Sequence, residues 1–77
     1  MVNRTDIIMY CHSADITIMR FFEMAHNDRY GEAHTNVNHL QRDVNLFNAT
    51  GEIPAYVGFY AQKVISKHHR DYGDERK

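Results

Sequence analysis

The sequence predicts an all-α fold, a small three-helix bundle. Three observations carry that prediction: apolar residues recur at spacings of three and four in three segments, polar breaks separate the segments, and capping residue types stand near their ends. With 77 residues the chain has room for a single domain, read as residues 1–77 with a short tail over about 72–77. A chain of this size buries only about 60% of its unfolded surface, so the core must be thin.

The first helix is predicted over about residues 5–27. Ile7, Cys11, Ala14, Ile18, Phe21 and Ala25 alternate steps of four and three, which a rotation of about 100° per residue gathers into one stripe. Thr5 stands where a cap is needed, Asp6 suits the positive first turn, and the run HNDRYGEAHTN ends the pattern. Ser13, ahead of Ala14 and Asp15, offers an alternative start that would leave residues 7–12 as a separate short helix or strand.

The second helix, about 36–48, rests on Val37, Leu40, Val44 and Phe47 behind an Asn36 cap, with Gly51 as its stop. The third, about 54–71, opens at Pro54, whose missing amide proton costs nothing in a first turn. The short connection between these two helices predicts an antiparallel hairpin. Gly58, inside the third helix, suggests a close backbone approach by another helix, in the fold or across an interface. The tail YGDERK has too little apolar content to order itself.

Composition narrows the function classes. Nine Lys and Arg against ten Asp and Glu give a formal charge of −1, so the chain as a whole lacks the pull toward phosphate that a nucleic-acid binder usually shows. Cys11 is the only cysteine, which rules out an internal disulfide framework and points to a reducing compartment. The uncharged run at residues 7–14 falls far short of the roughly 20 apolar residues of a spanning helix. The expected location is cytoplasmic.

Two surfaces stand out as candidate binding sites. On the third helix Val57, Ala61, Val64, Ile65 and His68 share an aliphatic arc, while Tyr56, Phe59, Tyr60, Lys63, Lys67 and Arg70 share its neighbour. The second arc is aromatic in its first half and basic in its second. Tyr56, Phe59, Lys63, Lys67 and Arg70 are therefore the candidate partner-binding residues, since aromatics supply buried area and cations supply directional contacts. The competing reading makes the aromatics part of a wide core with Lys and Arg stems lying over it. The first helix is apolar nearly all round, so Met9, Ile16 and Met24 are candidates for an oligomer or partner interface, unless Tyr30 and Ala33 fold back over them.

Catalytic and metal signatures are weak. His39 and Asp43 lie four apart on one helix, with His34 near in sequence and His12 or His26 reachable through folding, but no HExxH or paired cysteines accompany them. Cys11 and His12 are sequence neighbours on different faces, and no phosphate loop or nucleophile turn is present. The expectation is a non-enzyme without cofactor or metal. The connection NATGEIP also lacks a helix-turn-helix pattern, and the helix it leads into opens with Pro, Ala and Tyr. The sequence thus points to a small protein-binding module, possible as a homodimer, that modulates or inhibits a larger partner as small phage and mobile-element proteins do. The alternative is a small dimeric nucleic-acid-associated regulator using the basic and aromatic helix face.

Overall fold

The structure, a computed structural model, describes residues 2–31 and 36–72, with side chains placed as far as Lys67. It is all-helical over those residues: α1 (Arg4–Ala14), α2 (Ile18–Tyr30), α3 (Val37–Thr50) and α4 (Ala55–Tyr72). The described chain therefore has four helices where the sequence predicted three, because the expected helix over 5–27 is two. The predicted tail beyond residue 72 lies outside the described residues.

The break between α1 and α2 has a local cause at each side. Asp15 adopts the left-handed conformation at φ 59° and ψ 46°. Its N–H donates to the His12 carbonyl at 3.2 Å, and the Ile16 N–H donates to the Cys11 carbonyl at 3.0 Å. This pair of bonds is the Schellman arrangement, which satisfies the last carbonyls of α1 and turns the chain out of the helix. Ile16 then packs partly buried against the core that contains Cys11, the apolar contact that usually accompanies such a turn. Thr17 restarts the chain, its hydroxyl accepting from the Arg20 N–H at 3.0 Å. Ser13, the alternative start read from the sequence, lies inside α1.

The start of α1 is also earlier than predicted. Asn3, not Thr5, is the cap: its side chain accepts from the Asp6 N–H at 3.0 Å, and the Asp6 carboxylate accepts from the Asn3 N–H at 3.1 Å. On α3 both predicted signals hold. The Asn36 side chain accepts from the His39 N–H at 3.1 Å, and Gly51 ends the helix at φ 81°, where an L side chain would be strained.

Helix α2 is the centre of the packing, lying against α1, α3 and α4, while α1 also lies against α4. The reason is visible in two adjacent residues. Phe21 and Phe22 are both fully buried, and the helical rotation of about 100° between them turns them toward different neighbours. Phe21 meets Tyr10 of α1 and Tyr60 of α4 edge-on, at centroid distances of 5.6 and 5.4 Å. Phe22 meets Phe47 of α3 at 5.4 Å and Tyr56 of α4 at 6.5 Å. Offset and edge-to-face ring pairs of this kind add to the stabilisation that burial already gives. The rest of the core is Ile7, Cys11, Ala25, Leu40, Val44, Val57, Ala61 and Ile65. The predicted α3–α4 hairpin is thus not a principal packing unit: both helices pack chiefly on α2, and Tyr56 of α4 bonds directly to Asp43 of α3. Val37, expected in the core stripe of α3, is 65% exposed. Within the fold Gly58 is not a point of close backbone approach either, since among the described residues a Cβ there would have only the Ile53 side chain near it, at an ordinary 3.8 Å.

Candidate functional site

The structure divides the α4 face that the sequence singled out. Tyr56 is only 9% exposed, and its hydroxyl donates to Asp43 Oδ2 at 2.5 Å. The expected exposure of Tyr56 is therefore corrected: its ring is core, packed on Phe22 and T-shaped against His26 at 5.2 Å. Phe59 behaves oppositely, with 65% of its surface open. Lys63 is engaged, its ammonium 2.9 Å from Asp28 Oδ2, and Lys67 is exposed. The side chain of Arg70 lies outside the described residues.

Phe59 stands at the edge of an apolar groove of about 460 Å³. Val2, Ile53, Pro54 and Gly58 form much of its lining, with Arg4 at its margin. The groove exists because Gly51 turns the chain away from α3 and Pro54 starts α4, leaving Ile53 across from the first turn of α1. Arg4 bridges that gap, donating from Nη2 to the Asn48 carbonyl at 3.2 Å. Gly58 matters here as an absence of side chain, since a larger residue would fill space beside Ile53.

A second, more polar cleft of about 700 Å³ shares Pro54 with the groove and is lined also by His26, Arg29, Tyr30, His39, Asp43 and Tyr56. His26 is 9% exposed and its Nδ1 is buried without a hydrogen-bond partner. Its ring is held by Tyr30 at 4.7 Å and Tyr56 at 5.2 Å. Burial, and then the bond to the Asp43 carboxylate with that group's negative charge, raises the Tyr56 hydroxyl well above the ordinary phenol range. The neutral phenol is the form this site holds, as a donor.

Arg29 joins the two clefts. Its Nε donates to the Tyr30 hydroxyl at 3.1 Å, and its guanidinium carbon lies 5.4 Å from the Tyr30 ring centroid and 5.9 Å from that of Phe59. Sequence reasoning missed Arg29, and saw Tyr30 only as a cover for the first helix, because both fell in the polar run taken as a break. Gly31 was the signal: it closes α2 at φ 89°, accounting for a helix that continues through Tyr30.

The residues proposed for an interface on the first helix separate as well. Met9 is 65% exposed, whereas Ile16 packs partly buried on the core and Met24 is half-buried. Cys11 is buried in the core, and burial pushes its thiol up to about 11. Among the described residues no group of three or more His, Cys, Asp and Glu side chains is placed to hold a metal ion, His26, His39 and Asp43 included; His34 lies outside them. No helix among the described residues is long and apolar enough to cross a membrane. Comparison with family models, with curated proteins and with solved structures finds no match for this chain.

Proposed function

We propose that this chain is a non-catalytic protein-binding module that modulates or inhibits a larger partner, and that it engages the partner around Phe59. The observation that carries the reading is the pairing of an aromatic ring, 65% exposed at the mouth of an apolar groove, with a guanidinium 5.9 Å from its centroid. Aromatic and arginine side chains dominate the energetics of protein interfaces when they can be covered together in a shaped recess. The ring gives the fold little in return for its exposure. Lys63, by contrast, is paired with Asp28, whose negative charge weakens the basic field that a nucleic-acid interface on the same helix would need.

The test compares affinity capture by the wild type, by Phe59→Ala and by Leu46→Ala, an exposed site on α3 away from the groove. The expected result is a stoichiometric protein partner that is retained by Leu46→Ala and lost by Phe59→Ala, with circular dichroism and melting unchanged in both. Unfolding of Phe59→Ala, or equal capture by all three, overturns the reading.

A further inference from the structure

Resting on the reading of Phe59 as a contact residue, we infer that the partner presents an acidic, amphipathic segment: one apolar side chain for the groove and a carboxylate for Arg29. The two clefts share Pro54, and Phe59, at the groove's edge, lies beneath the Arg29 guanidinium that lines the second cleft. A ligand that fills one is therefore led past the other.

The charges around this surface favour an acid. Arg29 and Arg4, one at each cleft, have no carboxylate partner among the described residues. Among the described residues Arg29 bonds only through Nε, to the Tyr30 hydroxyl, which leaves both terminal nitrogens as donors in a fork that matches a carboxylate. Among the described residues, the acids near the two clefts already have partners within the fold or lie outside the linings. Asp43, among the described residues the one carboxylate that lines either cleft, accepts from Tyr56, and Asp28 pairs with Lys63. Asp6 accepts from the Asn3 N–H, and Glu52, exposed in the α3–α4 connection, lines neither cleft. Among the described residues, a basic segment would meet two guanidinia and a single lining carboxylate, Asp43, already bonded to Tyr56, and like charges brought together at an interface suppress binding. The apolar requirement comes from Ile53, Pro54, Gly58 and the Phe59 ring, which offer area but few donors or acceptors.

The planar fork also distinguishes this contact from simple attraction between charges. Lysine at position 29 would keep the charge and lose the paired donors and the stacking on Phe59. The closing experiment uses a phage-displayed random dodecamer library selected on the immobilised full chain. Enriched peptides are then synthesised and their affinities measured by fluorescence polarisation, beside versions with each Asp or Glu changed to Asn or Gln. Peptides carrying an acid within about one helical turn of a large apolar residue are expected. Amidation of that acid and Arg29→Lys should each weaken binding about tenfold, as expected for a charge-assisted hydrogen bond, and the two changes together should cost little more than either alone. Phe59→Ala should abolish binding while the fold persists. Enrichment of basic or purely apolar peptides, no enrichment, or additive effects of amidation and Arg29→Lys would overturn the inference. In any of those cases a native partner whose capture depends on Phe59 would leave the function proposed above standing.

Discussion

The bond between Tyr56 and Asp43 offers a quantitative test of whether Tyr56 belongs to the core. Replacing Tyr56 by Phe keeps the ring against Phe22 and His26 and removes only the hydroxyl that reaches Asp43 Oδ2 at 2.5 Å. Hydrogen bonds to charged groups contribute about 1.5–3 kcal/mol when well buried. Asp43 is half-exposed, so solvent competes for its carboxylate and the expected loss is about 1 kcal/mol. For a chain of this length that corresponds to a fall in Tm of about 4–8 °C. Asp43→Asn should have a similar effect, and the double variant should be no worse than the larger single one, because both changes remove one interaction. The pH dependence adds an independent reading. The folded phenol is raised above its value of 10.0 in the unfolded chain, so above pH 10 the unfolded state loses a proton that the folded state keeps. Stability contributed by this group is complete below pH 10 and declines above it, by at most about 1.4 kcal/mol per pH unit. Urea titrations from pH 7 to 11 of the wild type and Tyr56→Phe should show a shallower alkaline decline in the variant. Equal stability of the two proteins at pH 7, or full additivity in the cycle, would refute the placement of Tyr56.

Two further expectations concern other parts of the chain. The Cys11 thiol, raised by burial from 9.0 to about 11, remains protonated in the fold between those values while the unfolded chain ionises. Stability should decline across that window less steeply in Cys11→Ala, and an aromatic disulfide reagent should modify Cys11 of the native protein no faster than the chain opens, as followed by absorbance. At the α1–α2 break, Thr17→Ala should destabilise by about 1 kcal/mol through loss of the cap. Asp15→Gly should stabilise by about 0.5–1 kcal/mol by relieving the left-handed backbone. Thermal melts that move in the same direction for both would contradict the two-helix geometry.

What was legible in the sequence depended on whether the structural device used its commonest residue. Asn36 and Gly51 bound α3 where the sequence placed them, because an Asn cap and a left-handed Gly are stereotyped solutions. The α1–α2 turn uses the same left-handed device with Asp15 instead of Gly, so the pattern hid it. The apolar stripe concealed it further, since Ile16 and Ile18 continue the hydrophobic content straight across the break. Tyr56 was placed on the wrong arc for a different reason. A helical wheel ranks faces by phase, but the Tyr56 ring is covered by Phe22, His26 and Tyr30 of α2 and its hydroxyl by Asp43 of α3, so the buried arc of α4 widens to include it beside Val57, Ala61 and Ile65. Phe59, farther round the same wheel, falls beyond that arc. The clefts themselves were not legible, because they arise where distant segments meet: Arg4 with the α3–α4 connection, and Arg29 with Phe59.

The break between α1 and α2 also explains why a segment that is apolar nearly all round need not leave a large sticky surface. As one straight helix, residues 4–30 would carry more hydrophobic circumference than the remaining helices could cover. Reversal over residues 15–17 lets the segment cover itself: α1 packs against α2, with Tyr10 on Phe21 and with Ile16 folded against the core. Ile8 and Met9 remain as the large apolar side chains exposed on α1. The apolar surface of α4 is arranged differently, since Phe59 has a groove on one side and Arg29 above it. Isolated exposed side chains are ordinary on a small protein, whereas an exposed ring beside a recess and a stacked cation forms a shaped site. By that criterion the Phe59 and Arg29 surface differs in kind from the exposed Ile8 and Met9 of α1, which is why the proposed contact is placed there.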